Sequence, residues 1–276
     1  MTVVAHDREA LDAARSKMDG TVALVPTMGA LHDGHRANIR AAKAAAEHVV
    51  VSVFVNPLQF GPNEDYDRYP RQLDDDVAIC EAEGVDLVFA PDVETMYRPK
   101  GFRLTEVTLS AGPAGDQLEG ASRPGFFNGV LTVVAKLFQL VKPQLAFFGE
   151  KDYQQLALVR RMVFDLDFDI RIVGVPTVRE PDGLARSSRN VYLSTDEYEA
   201  ALAIPRAIAA AQASPDPLAA AREVLLSAPG VEVDYLTIMD PNLGRTPDFG
   251  DARLLIAAFV GKTRLIDNAP VTIGTQ

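Results

Sequence analysis

Cysteine is almost missing from this chain: Cys80 is the single one among 276 residues. No internal disulfide can form, and no Cys/His set has the spacing of a zinc site. Apolar runs long enough to span a bilayer, roughly 20 residues, are missing too. The N-terminal stretch MTVVAHDREALDAARSKM has early acidic residues and lacks the apolar core of a signal peptide. A cytoplasmic location with no membrane partner is therefore expected. Positive charge is in deficit as well. A formal net charge of −11 argues against a nucleic-acid partner, because neutralisation of phosphates dominates such binding. It leaves room for a local basic pocket that takes a small phosphate compound.

Two common nucleotide signatures are absent. FVGKTRL (259–265) contains G-K-T, but the glycine that a P-loop needs five residues before Gly261 falls on Ile256. No G-x-G-x-x-G follows a strand, which weakens a dinucleotide-dehydrogenase reading. Internal repeats and low-complexity tracts are likewise missing.

What is present fits a globular protein of one large or two ordinary domains, with 47% hydrophobic and 24% charged residues. The first two-thirds alternate apolar runs with helical patterns. Strands are expected at 21–27, 48–56, 85–91, 144–150 and 169–178, and helices at 34–47, 71–84, 127–141 and 152–166. Repeated β-α units with near-continuous apolar strands imply an α/β fold, a Rossmann-like doubly wound parallel sheet covered by helices. The character changes after REPDGLARSSRN (179–190). A helix at 195–213, the break SPDP, a helix to about 228 and strands at 231–240, RLLIAAFV and TRLIDNA then describe a smaller C-terminal α+β domain. The short turn Gly261-Lys262 joins the last two strands. Residues 1–178 and 179–276 are the expected domains.

The chemistry begins in PTMGALHDGH, at the first strand–helix junction. In doubly wound sheets ligands collect at the carboxyl ends of strands near the point where strand order reverses. A helix N-terminus there offers unpaired N–H groups and the positive end of the dipole, which suits an anion. Gly29 and Gly34 would let phosphate approach the backbone closely. The spacing puts His32 and His35 on one face if both belong to the first turn. Two imidazole donors there could stabilise charge in phosphoryl or nucleotidyl transfer. A lone histidine is more often a surface or core residue, and His6 and His48, which have no such company, are read as structural. H-x-G-H after a buried strand reverses that judgement.

H-x-G-H in this setting resembles the signature of the adenylylating nucleotidyltransferase superfamily, which includes class I aminoacyl-tRNA synthetases. PTMGALHDGH, FVNPLQFGPNEDYDRYPR, FFGEKDYQQL and SSRNVYLS together resemble, in order and at compatible spacing, the pantoate–β-alanine ligase family. The match runs from about residue 21 to the final TRLIDNA. The resemblance implies ATP-dependent condensation of pantoate with β-alanine through a pantoyl adenylate, with release of AMP and pyrophosphate. It also implies Mg²⁺, a homodimer and a C-terminal domain that closes over the site.

The same resemblance assigns ATP contacts to Met28, Gly29, Ala30 and Leu31, and to His32, Asp33, Gly34 and His35. Further along it assigns them to Gly149, Glu150, Lys151 and Asp152, then to Val178, Arg186, Ser187, Ser188 and Arg189. His32, His35 and Lys151 are the expected catalytic groups. Lys151 is placed to neutralise phosphate in the transition state, and Asp152 also reads as an N-cap for the helix near Tyr153. Arg189 would clamp phosphate while Ser187 and Ser188 donate hydrogen bonds; Ser194 is the ordinary N-cap. Gln59 and Gln155 would hold pantoate, and Gln59 would also meet β-alanine. Primary amides orient a carboxylate without the tight ion pair that would hold the nucleophile in its ground state. In DDD (74–76), a solvated acidic helix start on its own terms, Asp75 and Asp76 align with positions that help hold Mg²⁺.

Three departures stand out. Phe126 occupies a position where the family commonly has histidine, Arg186 one where methionine or leucine is usual, and Ile79 replaces a glutamine that some relatives place near the metal. None touches His32, His35, Lys151 or the glutamines, so activity is expected with altered affinities. A tRNA-charging enzyme would need an RNA-binding extension and a basic face, and neither is present. A nucleotide-sensing module would need neither Lys151 nor the paired glutamines.

Overall fold

The computed structural model describes residues 1–61, 66–97 and 107–274. The chain forms two compact units, Met1–Gly149 with Gln154–Val175, and Glu150–Tyr153 with Pro176–Gln276. The first unit is built on a parallel sheet of β1 (Val3–Ala5), β2 (Val22–Thr27), β3 (His48–Val53), β4 (Leu87–Phe89), β5 (Leu145–Gly149) and β6 (Arg171–Val175). Its strand order is β1-β4-β3-β2-β5-β6. From β2 the chain winds outward through β3 and β4 on one side and resumes with β5 and β6 on the other. The crevice where order reverses therefore lies between β2 and β5.

The local sequence accounts for this. Val22–Val25 and Val49–Val51 have no exposed surface. Strands covered on both faces lose the polar alternation of a half-exposed sheet and read as continuous apolar runs. Ile39 on the helix Asp33–Ala45 joins Val25, Val51 and Phe147 in one core cluster. Full burial of such a side chain contributes about 1.5–3 kcal/mol. Cys80 sits in the same cluster. Its thiol is pushed up to about 12, first by burial and then by Asp76, and so stays protonated and unreactive. β1 was not foreseen, since three residues are too few to show a period.

The second unit carries an antiparallel sheet, β7 (Val231–Met239), β8 (Gly250–Val260) and β9 (Thr263–Ile273), in that spatial order. Helices Ala203–Ala213 and Pro217–Leu226 supply apolar residues to its core. The single helix expected over 195–213 is two, Thr195–Ala201 and Ala203–Ala213. Pro205 has no N–H to give the Ala201 carbonyl, and its ring crowds that carbonyl, so the chain breaks at Leu202.

Candidate active site

The loop after β2 is held from three directions. Thr27 Oγ1 donates to the Ser52 carbonyl at 2.7 Å and accepts from the Gly29 amide at 3.1 Å. The amides of Ala30 and Leu31 donate to Asp76 Oδ2 and Oδ1 at 3.0 and 2.7 Å. Gly29 has φ +86°, and a Cβ there would stand 2.8 Å from Asp76 Oδ2. This turn needs glycine both for its backbone and for the approach of that carboxylate.

His32 and His35 do not simply share a helix face. His32 is the N-cap of Asp33–Ala45 and His35 is the third residue, and the two close a capping box. The Gly34 amide donates to His32 Nδ1 at 3.1 Å, and the His32 amide donates to His35 Nδ1 at 3.2 Å. A neutral ring that accepts at Nδ1 carries its proton on Nε2. Backbone amides therefore fix both tautomers, and both rings, 4.2 Å apart between centroids, have Nε2–H as donor. Asp33 lies beside them, exposed.

Gln59 is buried at 7% exposure in the short turn Pro57–Gln59 after β3. Asn56, fully buried, donates from Nδ2 to Gln59 Oε1 at 2.9 Å and to the Gly129 carbonyl at 3.1 Å. Tyr97 donates to Asn56 Oδ1 at 2.7 Å. With its oxygen engaged, the Gln59 amide has its Nε2 donors for a ligand. Gly129 permits this packing, because a Cβ there would lie 2.0 Å from the Leu58 carbonyl oxygen. Arg123 donates to the Gln59 carbonyl at 2.9 Å and stacks 3.9 Å over the Phe126 ring. Phe126 thus holds a guanidinium by its face. Gln155 is half-buried, whereas its neighbour Gln154 is bonded to the backbone of Ala114, Gln117 and Glu119. Residues 62–65 of the FVNPLQFGPNEDYDRYPR motif lie outside the described residues.

In the second unit, Lys151, Ser187 and Arg189 line one pocket, together with Arg264, Ile266 and Asp267. Gly149 ends β5, and Glu150–Asp152 form a 3-10 turn. Asp152 is exposed and ends that turn, and no cap hydrogen bond from it is present among the described residues. Ser187 caps the turn Ser188–Tyr192, accepting from the Arg189 amide at 3.2 Å. Ser194 is the helix N-cap that was expected, in a capping box with Glu197. Val178 accepts from the Arg186 amide at 2.9 Å, and Arg186 pairs with Glu180 at 3.1 Å.

Asp75 and Asp76 face different tasks. Asp75 is exposed, while Asp76 is 1% exposed with both oxygens engaged by the loop amides. Burial raises the Asp76 pKa, opposed by the bonds from Leu31 and Ala30. Among the described residues no group of three or more His, Cys, Asp or Glu side chains is placed to hold a metal. Of the two carboxylates, Asp75 is the exposed one. We expect Asp76→Asn to speed hydrogen exchange of the Ala30 and Leu31 amides by about 10-fold or more. An amide offers one acceptor where two are needed, and hydrogen bonds to a charged group contribute about 1.5–3 kcal/mol. Unchanged exchange would remove Asp76 as the anchor of the loop.

Sequence reasoning missed Asp76 as an anchor, and missed Asn56, Tyr97, Arg123, Arg264 and Asn268 altogether. Asn56 and Asn268 stand in quoted motifs, but nothing local reveals their partners.

A doubly wound sheet whose switch-point loop opens a helix on H-x-G-H resembles the adenylylating nucleotidyltransferases. The chain belongs to the pantoate–β-alanine ligase family, whose profile, described as Pantoate-beta-alanine ligase, matches residues 1–270. It is 56% identical to the pantothenate synthetase of Salinispora arenicola, covering 99% of each sequence. The relative from Thermobifida fusca is also 56% identical, over 98% of this chain and 96% of its own. The crystal structure of the Thermus thermophilus pantothenate synthetase superposes with a TM-score of 0.87 at 50% identity, covering 97% of this chain and 98% of that one. A Francisella tularensis pantoate–β-alanine ligase, solved in complex with β,γ-ATP and β-alanine, gives 0.78 at 34% identity, covering 98% and 97%.

Proposed function

We propose that the chain condenses pantoate with β-alanine, using ATP as substrate, to give pantothenate, AMP and pyrophosphate. In the first half-reaction a pantoate carboxylate oxygen bonds to the α-phosphorus, and the bond from that phosphorus to pyrophosphate breaks. Negative charge grows on the leaving pyrophosphate, where the Nε2–H donors of His32 and His35, the Lys151 ammonium and the Arg189 guanidinium would meet it. The product is a mixed anhydride, whose acyl carbon has a phosphate as leaving group where the carboxylate had only oxide. In the second half-reaction the neutral amine of β-alanine attacks the acyl carbon, the bond to AMP breaks, and the amine gives up a proton. Gln59 would orient pantoate and then the β-alanine carboxylate, and Gln155 pantoate.

The observation that carries this reading is the pair of imidazoles whose tautomers the backbone fixes at the helix mouth. Met28 to Leu31 and Gly34 would present backbone to the nucleotide, Gly149 to Asp152 the phosphate side, and Val178 and Arg186 the adenosine side. Mg²⁺ belongs to the reading as a counter-ion to the triphosphate, which Asp75 would help hold. So do a cytoplasmic location and a homodimer. Among the described residues no helix is long and apolar enough to cross a membrane.

AMP release, measured with all three substrates and with each omitted in turn, tests the reading. AMP and pantothenate should form in equal amounts, and only with pantoate, β-alanine and ATP together. A nucleotide sensor would release none, and a ligase of other specificity would ignore pantoate. Gln59→Leu should weaken use of pantoate and of β-alanine by about 10- to 100-fold, since unpaired polar groups cost on the order of 1–3 kcal/mol. ATP affinity should stay within a few-fold; its collapse would place Gln59 elsewhere in the site.

A further inference from the structure

β9 carries two neighbouring polar residues that are almost fully buried, Asp267 and Asn268, each 3% exposed. Successive residues of a strand point to opposite faces, and each of these anchors a different segment. Asp267 accepts from both terminal guanidinium nitrogens of Arg179, at 2.6 and 3.0 Å. Arg179 opens the hairpin in which Glu180 bonds Leu184 and Arg186 bonds Val178, just before Ser187. Asn268 donates from Nδ2 to the carbonyls of Glu150 and Lys151, both at 2.9 Å. Its oxygen accepts from Arg253 Nε at 2.7 Å and from a terminal nitrogen of the same guanidinium. Arg253 also reaches Glu150 Oε2 at 3.1 Å and lies 4.0 Å over the Tyr153 ring.

A carboxamide has two donors and one oxygen with two lone pairs, and Asn268 uses all four. Such saturation is unusual for a residue that only fills space, and it is aimed at two consecutive carbonyls of an irregular turn. That turn has no long helical or strand ladder of its own to hold it. The backbone from which the Lys151 side chain departs is thereby fixed to the β8–β9 hairpin, on the same strand that anchors the chain leading to Ser187 and Arg189.

We infer that Asn268 is a positioning residue for Lys151, locking the turn so that its ammonium is held at the pocket it shares with Ser187 and Arg189. This rests on the role given to Lys151 above. With both donors and its oxygen engaged by protein partners, the Asn268 side chain has none left for substrate. Aspartate would present an acceptor to two carbonyls, and alanine would leave them and Arg253 without their partner. Either change lets the turn relax, and a misplacement near 1 Å can cost about 10²-fold in rate.

The test is a double-mutant cycle on pantoate-dependent pyrophosphate exchange, with Asn268→Ala, Lys151→Ala and the double variant. Asn268→Ala should lower turnover by roughly 10- to 100-fold while the KM for ATP moves less than about 3-fold. In the Lys151→Ala background the same change should cost almost nothing, since residues acting as one unit are not additive. Melting of every variant checks the fold. Asn268→Ser, which retains one donor, should fall between wild type and alanine, and it takes the place of alanine in the cycle should that variant not fold. Equal losses in both backgrounds, or a change confined to KM, would make Asn268 a structural residue and overturn the inference. A Lys151→Ala enzyme with normal turnover would instead overturn the role of Lys151 itself, and the inference with it.

Discussion

Lys151→Ala should nearly abolish pantoate-dependent pyrophosphate exchange, yet leave the second half-reaction largely intact. Lys151 lies in the turn after β5, lines a pocket with Ser187, Arg189 and Arg264, and has its carbonyl held by Asn268. A point charge placed there works when negative charge grows on phosphate oxygens, which is the first step. The loss expected is about 10²-fold or more, as for other preorganised electrostatic groups. In the second step the amine attacks an acyl carbon and charge passes to the oxygen that leaves with AMP, whereas pyrophosphate, the group Lys151 is placed to meet, takes no part. Supplied with preformed pantoyl adenylate and β-alanine, the variant should therefore keep much more of its pantothenate production. Both rates are measured on one preparation, with melting as control. An equal loss in the two steps would assign Lys151 to binding or closure in general.

His35→Ala carries the other large effect, and here structure modifies what the motif suggests. A donor to the triphosphate is removed, so adenylation should slow by about 10²-fold or more. The capping box loses the acceptor of the His32 amide as well. Loss of a cap costs about 0.5–2 kcal/mol, so the melting temperature should fall by a few degrees. His35→Gln, whose side-chain oxygen can return to the His32 amide, should recover much of the melting temperature and little of the rate. A variant with near-normal turnover would remove His35 from the phosphate site.

The two observables separate what sequence could and could not reveal. H-x-G-H is legible because strand end, glycine turn and helix start are all local, and their chemistry is contained within PTMGALHDGH. The sheet was legible because strands such as Val49–Val51 are buried on both faces and advertise it in continuous apolar runs. The histidine capping box was hidden by its own spacing, since residues three apart suggest a shared face before they suggest a cap. Asp76 lies 46 positions from Ala30, and Asn268 lies 117 from Lys151. No periodicity links such pairs, and in one dimension Asp76 is simply the third acid of a helix start. Gln154 and Gln155 make the same point. Adjacent and chemically identical, they differ because one side chain meets three backbone groups within residues 114–119 and the other does not.

The central claim is that a pantoate oxygen becomes part of AMP. Pantoate labelled with ¹⁸O in its carboxylate, reacted with unlabelled ATP and β-alanine, follows that atom directly. Attack on the α-phosphorus and later cleavage of the acyl carbon–oxygen bond leave one labelled oxygen on the AMP phosphate and none in pyrophosphate. Mass spectrometry of the released AMP should find it, one atom per pantothenate formed. Unlabelled AMP, or label in inorganic phosphate with ADP as the nucleotide product, would contradict the adenylate route and the roles built on it.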